Sequence, residues 1–310
     1  MNDIRVSDMT EPTERESLYR RCRLCPRECG IDRTAGKGFC GMGAAVVAAR
    51  AAKHLWEEPC ISGTDGRGTG AVFFSGCTLK CAFCQNMRIS REGWGKEISV
   101  RRLADIFRSL EDEGAHSLDL VTGTQFIPSI LNALDLAKPS IPVVWNSGGY
   151  EKAETLKLLD GYVQVYLPDL KHVSARLSRL CAGAEDYFQN AGEALLEMRR
   201  QVGENVVDED GILQRGMLVR HLILPGCTTD SIAVLSFLHE TLPDVPVSVM
   251  RQYMPVSWCH IRGLDRKITD REYERVLSAA QALGVKGYMQ GKESAVESFV
   301  PSFDGEGIDD

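Results

Sequence analysis

From Ala71 onward, short apolar runs alternate with helical patterns. AVFFSG (71–76) is continuously apolar, as expected of a strand buried on both faces. ISVRRLADIFRSLEDEG (98–114) instead spaces Leu103, Ile106, Phe107 and Leu110 by three and four residues, which places them on one helical face. SLDLVTG (117–123), IPVVWNS (141–147), YVQVYLPD (162–169), MLVRHLILPG (217–226) and PVSVMRQYMP (246–255) predict five more strands. Helices are predicted over Ile127–Ala137, near 151–159, around 229–240, and after a capping-box pattern at Thr269–Glu272 that would bury Tyr273, Val276, Leu277 and Ala280. A longer helical insert carries Phe188, Ala191, Leu195, Met198 and Val202 on one face, and the Asp-Gly pair in DEDGILQRG (208–216) predicts a turn.

Strands alternating with helices imply parallel βαβ units with right-handed crossovers. Six units of roughly 30 residues fill most of 71–290, and a full eight-unit barrel would strain that length. The expected fold is α/β, an open six-unit partial βα barrel, with a doubly wound sheet as its competitor. In either, ligands bind at the C-terminal strand ends, so the residues after Gly76, Val121, Val144, Leu167, Leu224 and Tyr253 should share a rim. Residues 1 to about 20 are charged and read as a helix or loose arm. Residues 21–70 are rich in glycine and cysteine and read as a loop-rich segment organised by a metal rather than by a core. The domain reading is a cysteine-rich extension (1–70), the barrel (71–290) and an acidic, frayed tail (291–310).

Composition narrows the function classes. The 310 residues are 44% hydrophobic and 25% charged, with net charge −7, which fits a folded protein and speaks against a broad nucleic-acid surface. The apolar run Gly43–Ala52 is too short to span a bilayer and contains Arg50. The polar N-terminus lacks the apolar core of a secretion signal, so the expected setting is the cytoplasm, without membrane association. There, eleven cysteines suggest metal binding or chemistry rather than disulfides.

Cys77, Cys81 and Cys84 follow the first predicted strand in SGCTLKCAFCQN (75–86). A C-x3-C-x2-C loop can converge three thiolates on an iron–sulfur cubane and leave one iron open, whereas a structural zinc or cluster would recruit a fourth cysteine from elsewhere. With Phe83 before the last cysteine and a strand before the first, the loop resembles the radical S-adenosylmethionine (radical SAM) signature. The resemblance extends over about 71–260 toward pyruvate formate-lyase activating enzymes. For a subgroup of their relatives it also takes in CRLCPRECGIDRTAGKGFCG (22–41), Glu57-Glu58-Pro59-Cys60-Ile61-Ser62-Gly63 and Phe73-Phe74-Ser75-Gly76-Cys77. It implies a [4Fe–4S] cluster on Cys77, Cys81 and Cys84. S-adenosylmethionine would chelate the open iron, Phe83 would pack by the adenine, and Asn86 would lie near the ligand. One electron, from a flavodoxin- or ferredoxin-type donor, would cleave the sulfonium to a 5′-deoxyadenosyl radical that abstracts hydrogen from substrate. The cofactor carries that chemistry and the protein positions it.

The resemblance also marks other rim residues. Thr122-Gly123-Thr124-Gln125 stands where the family usually has Gly-Gly-Glu on the methionyl amino group, and Gln125 offers an amide oxygen without the charge. Asn146-Ser147-Gly148-Gly149 resembles an Asp-Thr-Asn-Gly turn, and Asp169-Leu170-Lys171 matches the activase-like Asp-Leu-Lys. There Lys171 is a partner for the ligand carboxylate, oriented by Asp169. Arg220, in the fifth strand, is a candidate for carboxylate or substrate. His221 should face the opposite way, as a core histidine. Cys227, at the rim, is a candidate radical or proton participant or an inert small hydrophobe. Cys181 and Cys259 read as inert, and His172 earns mention only beside Lys171.

Cys22, Cys25, Cys29 and Cys40 can supply four soft ligands to a second site, either structural Zn²⁺ or a saturated iron–sulfur cluster, with Cys60 able to replace one of them. The spacing leaves the metal open. The expected function is a radical SAM enzyme whose substrate is a protein, in the manner of a glycyl-radical activase, or a small molecule. The alternatives are a cluster-carrying electron-transfer or scaffold protein that does not cleave the ligand, and a zinc-ribbon binding module.

Overall fold

The computed structural model describes residues 14–291 and 301–309. Each of the six apolar runs overlaps a strand: β2 (Thr69–Phe74), β4 (Leu118–Val121), β5 (Val143–Ser147), β6 (Val165–Pro168), β9 (Val219–Leu222) and β10 (Val247–Met250). Others join them: β1 (Val46–His54), β3 (Lys96–Ile98), β7 (Val206–Val207), β8 (Leu213–Met217) and β11 (Gly287–Met289). One sheet has the order β3-β1-β2-β4-β5-β6-β8-β7 and the other β11-β10-β9. From β2 to β8 the neighbours are parallel, as are β9, β10 and β11. Only Leu218 separates β8 from β9. Asp169 bridges to Arg220, and Leu170 N–H donates to the Arg220 carbonyl (2.8 Å), so one sheet leads into the other. The result is a mixed α/β fold with a mostly parallel sheet.

The helices follow the apolar periodicity. α4 (Val100–Asp112) buries Leu103, Ile106, Phe107 and Leu110, and its first turn is closed by Ser99 Oγ accepting from Arg102 N–H at 3.0 Å. α5 (Ile127–Ala137) spans the predicted residues, and α8 (Tyr187–Val202) buries Ala191, Leu195, Met198 and Val202. α9 (Thr228–Thr241) and α10 (Asp270–Leu283) cover the second sheet's connections, while α1 (Glu14–Ser17), α2 (Pro59–Ser62), α3 (Met87–Ser90), α6 (Ala153–Leu156) and α7 (Ala175–Ala182) are short. Among the described residues, no helix is long and apolar enough to cross a membrane.

α10 opens with the capping box. Glu272 N–H donates to Thr269 Oγ1 (3.2 Å), and Thr269 N–H donates back to Glu272 Oε2 (2.8 Å). The Arg266 guanidinium first, then the Thr269 and Gly226 amides, hold the Glu272 carboxyl well below the usual carboxylate range. A depressed folded pKa stabilises the fold above the unfolded value of about 4.3 and loses that contribution as pH falls through the folded value. Glu272→Gln should therefore cost about 1 kcal/mol at pH 7 and progressively less on strong acidification. Urea titrations at the two pH values check this, and a deficit independent of pH would contradict it.

Two expectations are corrected. Residues 21–70 are not all loop, because β1 pairs antiparallel with β2 (Ala52↔Ala71) and occupies an otherwise open sheet edge. Its Ala48, Ala49 and Ala51 are buried, small enough to lie close to the sheet while giving little hydrophobic signal. Nor is the tail frayed over 301–309. Phe303 packs edge-on to Phe73 (centroids 5.6 Å apart), Ile308 is buried, and the Glu306 carbonyl accepts from Ala51 N–H at 2.9 Å. Two apolar anchors among the acids dock it on β1. Part of the predicted N-terminal arm and the start of the tail (1–13 and 292–300) lie outside the described residues.

Candidate cofactor site

The chain leaves β2 through Ser75 and Gly76 into the three-cysteine loop. Cys77, Cys81 and Cys84 line one chamber of about 180 Å³. Leu79 N–H donates to Cys77 Sγ and Ser90 Oγ to Cys84 Sγ, both at 3.4 Å. Burial first, then the neighbouring cysteines, pushes the Cys81 thiol up, with Lys171 opposing; Cys84 is raised by burial and partly relieved by Ser90. No fourth thiol lines this chamber among the described residues. The donor set fits a four-iron cubane with one open iron. Among the described residues no three His, Cys, Asp or Glu side chains gather around a single-ion position; a cubane spreads its thiolates over separate irons and needs a wider arrangement.

A second chamber of about 240 Å³ adjoins the first, sharing Cys81, Cys84, Asn86, Asn146, Asp169, Lys171 and Arg220 as walls. The charges in that wall form a closed network. Arg220 meets Glu57 at 2.6 Å and Asp169 at 3.2 Å and donates to Asn146 Oδ1, while Lys171 pairs with Asp169. Burial alone would lower the Lys171 ammonium, but Asp169 outweighs it and the net shift is upward. Burial alone would raise the Asp169 carboxyl, but Lys171 and Arg220 hold it below its usual range. Both groups therefore stay ionised, and cations and carboxylates line the chamber side by side. The opposite wall is apolar: Phe83 sits edge-on to Tyr253 (6.1 Å) and His172 (6.4 Å), beside Leu222 and Met250. Such a chamber can take a planar ring at one end and a carboxylate at the other.

The expected rim residues divide. Phe83, Asn86, Asn146, Ser147, Asp169, Lys171 and Arg220 line one chamber or both. Of the turn after β4 only Thr122 does, held at φ 59°. Gly123 packs against Trp145 and Ile130. Thr124 Oγ1 donates to Glu151 (2.9 Å), which also accepts from Trp145 Nε1 (2.8 Å) and Ser147 Oγ (2.6 Å). Gln125 was expected at the ligand through its oxygen. Instead its amide nitrogen donates to the carbonyls of Ser75 (2.9 Å), Gly76 (3.3 Å) and Thr122 (2.7 Å), and Oε1 lacks a hydrogen-bond partner. An amide can clamp carbonyls in this way, whereas a carboxylate cannot donate. Cys227 lines neither chamber; it sits at the N-terminus of α9, close enough for its charge to act on Cys181, as does that of Cys259. His221 Nδ1 meets the Leu170 carbonyl (2.7 Å), and burial pushes the ring down to about 4.

Sequence reasoning missed the acids around Arg220. Glu57 and Glu58 stand in the 57–63 motif and Asp119 in an apolar strand, and nothing in their spacing marks them as site residues. Burial raises both Asp119 and Glu58, and each leaves one oxygen without a hydrogen-bond partner. Asp119 sat as the polar position of an apolar strand, the one local signal of its special role.

Cys22, Cys25, Cys29 and Cys40 line a single cavity with Arg33, Phe39, Thr78 and Gln125. Burial pushes Cys25 up to about 12, partly offset by the Arg27 amide. Cys60 is not part of this set. It is buried in α2 among Val144, Val165 and Leu167, because its helix packs on the strand face that also carries Asp119 and Asn146, opposite the face on which Trp145 and Tyr166 meet the long helices.

Residues 71–209 match the radical SAM superfamily. An uncharacterized protein of Methanocaldococcus jannaschii is 28% identical over 279 residues, 86% of this chain and 76% of that one. The crystal structure of Streptococcus suis SuiB bound to S-adenosylmethionine aligns with a TM-score of 0.43 at 15% identity, over 69% of this chain and 45% of that one, so under half of the Streptococcus protein is spanned. A domain of pyruvate-formate lyase-activating enzyme from Bacteroides vulgatus aligns at 0.35 and 13% identity, over 62% and 91%. At these scores neither alignment bears on substrate.

Proposed function

We propose, from the radical SAM domain at residues 71–209, that the chain is an enzyme that reductively cleaves S-adenosylmethionine and abstracts hydrogen from a substrate, in an open six-unit βα barrel. The observation that carries this reading is the pair of joined chambers, one lined by Cys77, Cys81 and Cys84, the other by Lys171, Arg220 and Phe83. A [4Fe–4S] cluster on the three cysteines would supply the electron that breaks the sulfonium bond. Lys171 and Arg220 offer donors to the ligand carboxylate, and Asp169 and Asn146 fix their direction. Phe83 and Tyr253 give the adenine an apolar wall and keep water from it. The preferred substrate is a protein, as for a glycyl-radical activase. Trp56 and Met289, both exposed, line a cavity beside the second chamber and would meet a docked chain. The electron donor is of flavodoxin or ferredoxin type. Eleven free cysteines suit a reducing, cytoplasmic setting. The four N-terminal cysteines add a second metal centre.

The test is anaerobic reconstitution with iron and sulfide, reduction, addition of S-adenosylmethionine and assay of 5′-deoxyadenosine. Product should form with the native chain and stay at background with Cys77, Cys81 and Cys84 all replaced by alanine. Equal background from both would end the enzyme reading in favour of a cluster scaffold.

A further inference from the structure

The N-terminal cysteines are built directly onto the three-cysteine loop. The Cys40 carbonyl accepts from the Cys77 amide (3.4 Å), so a residue of one thiol set is hydrogen-bonded to a residue of the other. Thr78, from the loop, and Gln125, which clamps the loop's base at Ser75 and Gly76, are walls of the N-terminal cavity. Arg27 fastens the two segments, its Nε donating to the Thr78 carbonyl (2.9 Å) and its terminal nitrogens to those of Ala182 (2.7 Å) and Gly183 (2.6 Å). Gly76 has φ 81°, and a Cβ there would overlap Met42 and come within 2.9 Å of the Cys40 carbonyl. Backbone approaches backbone here as closely as only glycine allows.

A zinc that merely stapled a loop would need none of this proximity. Zn²⁺ has no redox chemistry, and its four thiolates could close anywhere on the surface. Arg33 lies buried behind the set, with Nη1 3.9 Å from Cys22 Sγ, and supplies positive charge to an anionic centre. Cys29 is exposed, which gives an outside donor access to this centre.

Resting on the proposed radical SAM reading, we infer that Cys22, Cys25, Cys29 and Cys40 hold a second iron–sulfur cluster through which electrons enter, delivered by a low-potential donor protein that meets the exposed Cys29 edge. The donor loses one electron and the N-terminal cluster gains it. The electron then passes to the cluster on Cys77, Cys81 and Cys84, using the Cys40–Cys77 hydrogen bond as the short link, and finally to the sulfonium, whose carbon–sulfur bond breaks. Each step moves one electron and no proton.

Metal content and spectroscopy test this without turnover. The full chain with Cys77, Cys81 and Cys84 replaced by alanine, reconstituted anaerobically, should retain about four irons and four sulfides per chain and give an electron paramagnetic resonance signal on dithionite reduction. One zinc without iron, or no metal, overturns the inference. In the second arm, Cys22→Ser/Cys25→Ser is compared with the native chain, and 5′-deoxyadenosine formation driven by reduced flavodoxin is divided by that driven by dithionite. The relay requires at least a tenfold fall in this ratio; an unchanged ratio overturns it. If the native chain makes no 5′-deoxyadenosine with dithionite, the enzyme reading fails, while the iron and the signal of the alanine variant still decide the second cluster.

Discussion

Arg220→Ala should destabilise the protein by about 3–5 kcal/mol, because removing one partner of a buried ion pair strands the charges it neutralised. Among the described residues Arg220 is the one cation that meets both Glu57 (2.6 Å) and Asp169 (3.2 Å), and it also holds the Asn146 side chain. All lie within the chamber wall, away from solvent screening. For a domain with a typical stability of about 5–15 kcal/mol, that is a large share. Arg220→Lys should recover part of the loss, since an ammonium can meet one carboxylate but cannot fork across two. The deficit should also shrink on acidification. Asp169 is held below its usual range, so its contribution is present above the unfolded value of about 3.9 and is lost as pH falls through the folded value. Guanidinium titrations of the three proteins at pH 7 and below pH 3 measure this. A loss below about 1 kcal/mol would place the network in the class of screened surface pairs. Ligand binding should fall with stability, since the same guanidinium faces the second chamber.

Gly149→Ala should cost about 3 kcal/mol and weaken S-adenosylmethionine binding as well. Gly149 has φ 76°, where an L-residue carries about 1–2 kcal/mol of strain. Its added Cβ would also overlap the Asp169 carbonyl oxygen and stand 3.1 Å from the Tyr187 hydroxyl. Forcing those apart adds about 1–3 kcal/mol of overpacking. The Tyr187 hydroxyl donates to that same Asp169 carbonyl (3.0 Å) and accepts from Lys171 N–H (2.9 Å), so the wedge displaces two residues that line both chambers. Gly161→Ala is the control: its φ is 84°, but nothing lies within 4 Å of the added Cβ, so only the backbone strain remains. Equal losses at the two positions, in thermal or chemical denaturation, would show that the contact with Asp169 is relieved at no cost.

Much of the fold was legible because strand and helix signals are local. Leu103, Ile106, Phe107 and Leu110 declare a helical face by their own spacing, and Thr269 with Glu272 declares where a helix begins, whatever the rest of the chain does. The three-cysteine loop was legible for the same reason, since all its donors lie within eight residues. β1 was not, because its alanines are too small to register as a strand until β2 lies beside them. The docked tail was hidden because two apolar anchors are outweighed in composition by the acids around them.

By itself the sequence determined the parallel βα succession, the loop that places Cys77, Cys81 and Cys84 at the end of β2, and the cationic residues on the same rim. It did so because each of these depends on neighbours a few residues apart or on the common direction of parallel strands. Only the tertiary structure decided what surrounds them. The pairing of Glu57 with Arg220 spans 163 positions of the chain, Gln125 turned its amide to the loop rather than the ligand, and Cys227 fell outside both chambers. The meeting of Cys40 with Cys77 likewise depends on how the N-terminal segment returns across the end of the first parallel strand. Contacts of this kind are set by the closing of chain crossovers and by the burial of charge against charge, which no local pattern encodes.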